Sequence, residues 1–286
     1  MAILVFGKTG QVARELRARR EVIALAREDV DLADAKACAH AIARIAPSSV
    51  INAAAYTAVD RAEEEEGLAM SINAGAPAAM AGACADLGIP LIHISTEYVF
   101  DGSGDEPFAV ERKPAPLSVY GRSKLAGEHA VRRAGGTHAI VRTSWVFSAH
   151  GHNFVKTMLR LGQERDALSI VSDQRGGPTS AGALAQACLT IADAIVGNPS
   201  KSGTYHFAGS PDTSWADFAR EIFAQAEIAC DVVDIATADY PTPATRPLNS
   251  RLDCATTEQE FGIARPDWRV DLSAVLSELT DQKVQH

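Results

Sequence analysis

Through its first 145 residues the chain alternates short apolar runs with longer amphipathic segments, and few folds accommodate that rhythm. Residues 2–6, 21–25, 49–51, 89–95 and 139–145 read as strands, and residues 11–20, 35–45, 68–87 and 119–133 as helices. Helix 35–45 stops before Pro47, and helix 68–87 stops at Gly88, where a left-handed cap is expected. The strand 89–95 is apolar almost throughout, as a strand covered on both faces must be. Strands that alternate with helices of this length predict an α/β fold with a doubly wound parallel sheet.

After Trp145 the rhythm loosens. Helices are expected at 153–165, 181–196 and 215–226, separated by Gly176-Gly177-Pro178, Gly197-Asn198-Pro199 and Gly209-Ser210-Pro211. Residues 240–247 hold too many prolines for a helix or a central strand. This pattern fits a smaller part that supplies the second wall of a cleft. The expected division is 1–145 for a dinucleotide-binding domain and 146–286 for a mainly substrate-binding part that returns elements to the first.

Composition narrows the function classes. With 286 residues, 47% hydrophobic and 22% charged, the chain can bury a sizeable core and is neither disordered nor fibrous. A formal net charge of -9 argues against a nucleic-acid or anionic-membrane partner, whose footprint is basic. No apolar run approaches the roughly 20 residues of a membrane span, and no basic leader precedes the first strand. A cytoplasmic location is expected. The five cysteines, Cys38, Cys84, Cys188, Cys230 and Cys254, form no CxxC and suggest neither a disulfide framework nor a zinc site.

Gly7-Lys8-Thr9-Gly10-Gln11-Val12-Ala13 follows the first strand and opens a helix. A tight turn at Gly7, close backbone approach at Gly10 and a small residue at Ala13 suit a pyrophosphate on a helix N-terminus, the Rossmann arrangement. The alternative is a plain strand-to-helix turn. After the second strand, where a carboxylate often holds the adenosine ribose, the sequence reads Ala26-Arg27. Arg27 either neutralises a 2′-phosphate, which favours NADPH over NADH, or is an exposed surface arginine.

Tyr120 and Lys124, at i and i+4, share one face of the helix expected at 119–133. A phenol ionises near pH 10, so it serves acid–base chemistry near neutrality only when a cation favours its phenolate. Lys124 is spaced to do so. Thr96 stands at the end of the fourth strand, where α/β sites lie, and can orient a carbonyl oxygen beside the phenol.

These features resemble the extended short-chain dehydrogenase/reductases. Finer motifs resemble the dTDP-4-dehydrorhamnose reductases: residues 52–63 (Asn-Ala-Ala-Ala-Tyr-Thr-Ala-Val-Asp-Arg-Ala-Glu), Ser95-Thr96-Glu97-Tyr98-Val99-Phe100-Asp101-Gly102, Arg142-Thr143-Ser144-Trp145-Val146, Asp173-Gln174-Arg175-Gly176-Gly177-Pro178-Thr179 and Arg246-Pro247-Leu248-Asn249-Ser250-Arg251-Leu252. The likeness runs from Ile3 to about Trp268. Departures are Glu97 for the usual Asp, Ala13 for the usual third glycine, and Thr256 for a lysine.

The resemblance implies NAD(P)H-dependent reduction of the C4 ketone of dTDP-4-dehydro-β-L-rhamnose to dTDP-β-L-rhamnose. It implies Gly10, Gln11 and Val12 on the pyrophosphate, Asp31 and Leu32 on the adenine, and Ala55, Tyr56 and Thr57 towards the nicotinamide. Tyr120 would donate the proton, Lys124 would tune it and bind the ribose, and Thr96 would polarise the ketone. Thr96, Glu97 and Trp145 would line the deoxysugar pocket. A dehydratase would place an Asp-Glu pair after the threonine, where Glu97-Tyr98 stands. A superfamily epimerase and an idle nucleotide-binding regulatory subunit are the other readings.

Other features read as structural. Glu63–Glu66 suits a solvated helix end, and His150-Gly151-His152 has no acid or cysteine partner in sequence to make a metal site. Arg246 and Arg251 either hold a diphosphate or form structural pairs. The sequence leaves open the oligomeric state, a homodimer included, and any Mg2+ dependence.

Overall fold

The computed structural model describes residues 2–284. Its first half contains β1 (Ile3–Phe6), α1 (Gln11–Arg19), β2 (Val22–Leu25), α2 (Ala35–Ile45) and β3 (Ser49–Asn52). A helical stretch follows as α3 (Glu66–Met70), a π turn (Ser71–Gly75) and α4 (Ala76–Leu87), then β4 (Leu91–Thr96), α5 (Val119–Arg133) and β5 (His138–Thr143). The second half has β6 (Val146–Phe147), α6 (Phe154–Glu164), β7 (Ala167–Val171), β8 (Arg175–Gly176), β9 (Thr179–Ser180), α7 (Ala181–Gly197) and β10 (Gly203–His206). It ends with β11 (Thr213–Ser214), α8 (Trp215–Gln225), β12 (Asp231–Ile235), β13 (Asn249–Ser250), α9 (Ala255–Phe261) and α10 (Trp268–Val284).

The central sheet runs β10-β5-β4-β3-β1-β2, every pair parallel. Alternation along β1 shows how it is covered. Ile3 and Val5 face one core with Leu16 of α1 and Leu184, Leu189 and Ile191 of α7. Leu4 and Phe6 face the other with Ile42 of α2, Met80 and Cys84 of α4 and Val131 of α5. Both faces are covered by helices, as the doubly wound expectation requires. The chain leaves β1 for β2 on one side and for β3 on the other, so the topological switch point lies between β1 and β3. Ligands of such sheets bind at the carboxyl ends of the strands there.

The sixth strand, β10, comes from the second half, and α7 from that half packs on α1. The rest of that half builds a separate core, in which Phe147, Met158, Phe218, Phe223 and Trp268 are buried between α6, α8 and α10. The parallel pair β7–β12 edges this core. The expected helices are present within a few residues. The strand expected at 139–145 ends at Thr143, because Trp145 takes a positive φ of 48° that no strand allows. Gly88 caps α4 in the left-handed conformation, as expected. The expectation that no apolar run approaches a membrane span needs correction: Glu66–Leu87 is 22 residues with a window mean hydropathy of 1.2. It packs on α2 and α5, with Ala76, Met80 and Cys84 in the core.

Candidate active site

A cleft of about 970 Å3 opens at the carboxyl edge of the sheet. The ends of all five strands from the first half reach it, through Gly7, Leu25, Ala53, Thr96 and Thr143. Every residue singled out for cofactor or substrate lines it except Tyr56 and the two arginines Arg246 and Arg251. The Tyr56 hydroxyl donates instead to Glu65 Oε2 at 2.7 Å, and its backbone N–H to Asn73 Oδ1 at 2.8 Å. A cofactor contact from the Tyr56 ring is therefore not supported, and Ala55 and Thr57 carry that stretch of the wall.

The glycine turn has the shape that a dinucleotide needs. Gly7 sits at φ +111°, and a Cβ there would stand 3.3 Å from Ala13 Cβ and 3.4 Å from the Ala53 carbonyl. Ala13 is thus small enough to stand in for the usual glycine. Around Gly10 a Cβ would meet nothing within 4 Å. Gly10 is also the N-cap of α1, and no side chain caps that helix. Its free N–H groups and positive end, with Gln11 and Val12 in the first turn, face open space, as anion binding requires.

The end of the cleft beside β2 is rimmed by Ala26, Arg27, Asp31 and Leu32. Arg27 is 78% exposed and pairs with Asp31 at 3.4 Å, while Lys8 pairs with Asp29 at 3.9 Å. Both cations therefore stand at the cleft rim, paired among the described residues with exposed carboxylates.

The chemical end lies where β4 meets α5. Ser118 caps α5 by accepting from Gly121 N at 3.2 Å, and Glu63 accepts from Val119 N at 2.8 Å. The acidic run is thus more than a solvated face, since Glu63 anchors the helix that presents Tyr120. Lys124 is buried and donates to the Ile94 carbonyl at 2.7 Å, where the sequence suggested a pairing with the phenol. Burial lowers its pKa to about 8. Burial also raises the Tyr120 phenol well above its ordinary value, with Glu97 adding to the rise and the facing Thr96 hydroxyl countering it. Thr96 Oγ1 donates to Glu97 Oε2 at 2.8 Å. Glu97 is buried, which lifts its carboxyl to about 7.

Behind this site a buried polar ladder holds β4 to β5. Ser95 donates to Glu128 Oε1 at 2.7 Å, and Arg142 forks onto the same carboxylate at 2.8 and 2.7 Å. The sequence marked Arg142 only as part of a motif; its partner came with the fold.

Opposite, Trp145 stacks on Trp215 with ring centroids 3.7 Å apart and planes 15° apart, and Phe154 tilts against Trp215 at 4.5 Å. All three line the cleft. A Cβ on Gly176 would stand 2.8 Å from the Trp145 ring, so that glycine is what lets the indole lie flat. Trp215 was not singled out from sequence, where it reads only as the start of a helix.

Two other expectations resolve here. His150 Nε2 lies 3.3 Å from Glu15 Oε1 and 3.6 Å from Glu278 Oε1, so the fold supplies the acid partners that the sequence lacked. One donor atom from each of these residues lies within 4.8 Å of the others, a set able to hold a cation. Arg246 pairs with Asp60 at 2.7 Å, the structural alternative given above, and Arg251 donates to Asn249 Oδ1 at 2.9 Å.

Comparison with known proteins agrees with this geometry. Residues 1–281 match the family described as RmlD substrate binding domain. A Sinorhizobium fredii protein named dTDP-4-dehydrorhamnose reductase is 46% identical over 278 residues, 94% of each chain. A solved dTDP-4-dehydrorhamnose reductase from Clostridium acetobutylicum superposes with a TM-score of 0.92 at 37% identity, covering 98% of this chain and 100% of that one. One from Bacillus anthracis, in complex with NADP, superposes with a TM-score of 0.90 at 33% identity, covering 97% and 100%.

Proposed function

The chain belongs to the dTDP-4-dehydrorhamnose reductase family, and we propose that it catalyses NAD(P)H-dependent reduction of the C4 ketone of dTDP-4-dehydro-β-L-rhamnose to dTDP-β-L-rhamnose. The observation that carries this reading is a single cleft joining an uncapped glycine-turn helix to a Thr96–Tyr120 hydroxyl pair and an aromatic wall.

A reduced nicotinamide, when bound, supplies the hydride. The chain's own residues supply the rest. Gly10, Gln11 and Val12 receive the diphosphate on the helix N-terminus, and Arg27 with Lys8 offers charge for a 2′-phosphate, which tilts the site towards NADPH. Trp145 and Trp215 offer a flat apolar face to a deoxysugar. Thr96 orients the ketone oxygen, and Tyr120 gives its proton as negative charge develops there. Lys124, charged below about pH 8, places a cation near the phenol and the ribose. On this reading residues 1–145 hold mainly the cofactor and 146–286 mainly the sugar nucleotide.

The test is consumption of NADPH or NADH on adding a dTDP-4-keto-6-deoxy sugar. Consumption with the rhamnose precursor, yielding the C4 alcohol, is the expected result. No consumption with either cofactor across a panel of such ketones overturns the reading.

A further inference from the structure

The reductase reading above, on which this inference rests, leaves a phenolate on Tyr120 after each turnover. We propose that Glu97 is the proton store of this site, re-protonating Tyr120 through the Thr96 hydroxyl.

Glu97, Thr96 and Tyr120 line one cleft. Glu97 is 3% exposed and lines the cleft floor, and its Oε2 is 2.8 Å from Thr96 Oγ1. Thr96 in turn faces the Tyr120 hydroxyl. Among the described residues, no lysine, arginine or histidine comes within ion-pair distance of Glu97. The Thr96 hydroxyl and a backbone N–H favour the carboxylate, but burial outweighs both, and a buried carboxyl without a cation favours its neutral form. The ammonium of Lys124 is bonded to the Ile94 carbonyl at 2.7 Å. The titratable groups facing Glu97 are the phenols of Tyr98 and Tyr120, both raised first by burial and further by Glu97 when it is ionised. Asp60 and Arg246 act on Tyr98 but are paired with each other at 2.7 Å.

The step balances. Tyr120 gives its proton to the substrate alkoxide and becomes a phenolate. Thr96 passes its hydroxyl proton to that phenolate while taking the proton of the Glu97 carboxylic acid. The net change is one neutral carboxyl to carboxylate and one phenolate to phenol. It runs downhill, because the carboxyl lies at about 7 and the phenol is held far above it. Glu97 recovers its proton from water when product leaves.

The test compares wild type, Glu97→Gln and Glu97→Asp with saturating cofactor. In wild type, kcat is full below about pH 7 and falls above it as Glu97 ionises. Glu97→Gln should lower kcat by about 100-fold, in the range of one lost acid–base group, with little change in sugar-nucleotide KM, and the limb near pH 7 should vanish. Glu97→Asp restores a titratable carboxyl and should recover at least tenfold of that loss. An unchanged kcat with the limb intact in Glu97→Gln, or a raised KM alone, overturns the proposal. If Glu97→Gln does not fold, infrared titration of wild type still decides: a protonated buried-carboxyl band should disappear around pH 7. No such band at pH 5 overturns the proposal. Wild type inactive on every ketone, with that band present, indicts the reductase reading rather than the carboxyl's protonation.

Discussion

Lys124→Met should make the protein more stable and nearly inactive at once. The side chain is 2% exposed, and burial lowers its ammonium from 10.5 to about 8. A lowered lysine pKa means that the folded state binds the proton more weakly than the unfolded state does. The cost is fully present below about pH 8 and fades as pH rises towards 10.5, where the unfolded chain also loses its proton. The shift corresponds to about 3 kcal/mol below pH 8. Against it stands the hydrogen bond to the Ile94 carbonyl, worth about 1–2 kcal/mol. Methionine of similar shape removes both, so the variant should gain about 1–2 kcal/mol at pH 7 and lose all of that gain by pH 10. Activity should drop by about 100-fold or more, and cofactor Kd should rise. Urea unfolding at both pH values measures the first claim, and kinetics the second. A variant less stable than wild type at pH 7 would refute the burial argument, whatever its activity.

Other expectations are sharper after the fold than before it. Trp145→Ala should raise sugar-nucleotide KM by the equivalent of about 2 kcal/mol, while stability falls by only about 1–2 kcal/mol, because the half-buried ring loses one stack and some packing. The reverse order in a melt and a titration of the same variant would make it a core residue. Arg27→Ala should raise KM for NADPH more than for NADH, since its partner among the described residues is the exposed Asp31; equal effects would return it to the solvent-facing surface.

What the sequence showed and what it hid divide along physical lines. The glycine turn, the Tyr120–Lys124 spacing and Thr96 at a strand end were legible because local geometry sets each of them. Trp215 was not, because its value lies in stacking on Trp145, 70 residues away in sequence. The Glu15–His150–Glu278 group hid for the same reason, with its members on α1, a loop and α10. β10 was missed because Gly203-Thr204-Tyr205-His206 is four residues without apolar alternation, yet it completes the main sheet. β7 and β12 are strands chiefly because they pair with each other. Tyr56 is held by partners that only the fold supplies, its hydroxyl by Glu65 and its backbone by Asn73.

The central claim is that Tyr120 delivers the proton in reduction of a sugar-nucleotide ketone. The direct measurement is turnover of wild type and Tyr120→Phe with reduced cofactor and dTDP-4-dehydro-β-L-rhamnose, alongside cofactor Kd for each. Wild type should consume one reduced cofactor per ketone, and the phenylalanine variant should lose about 100-fold to 10,000-fold in kcat at unchanged cofactor Kd. A variant that turns over at the wild-type rate would contradict the account.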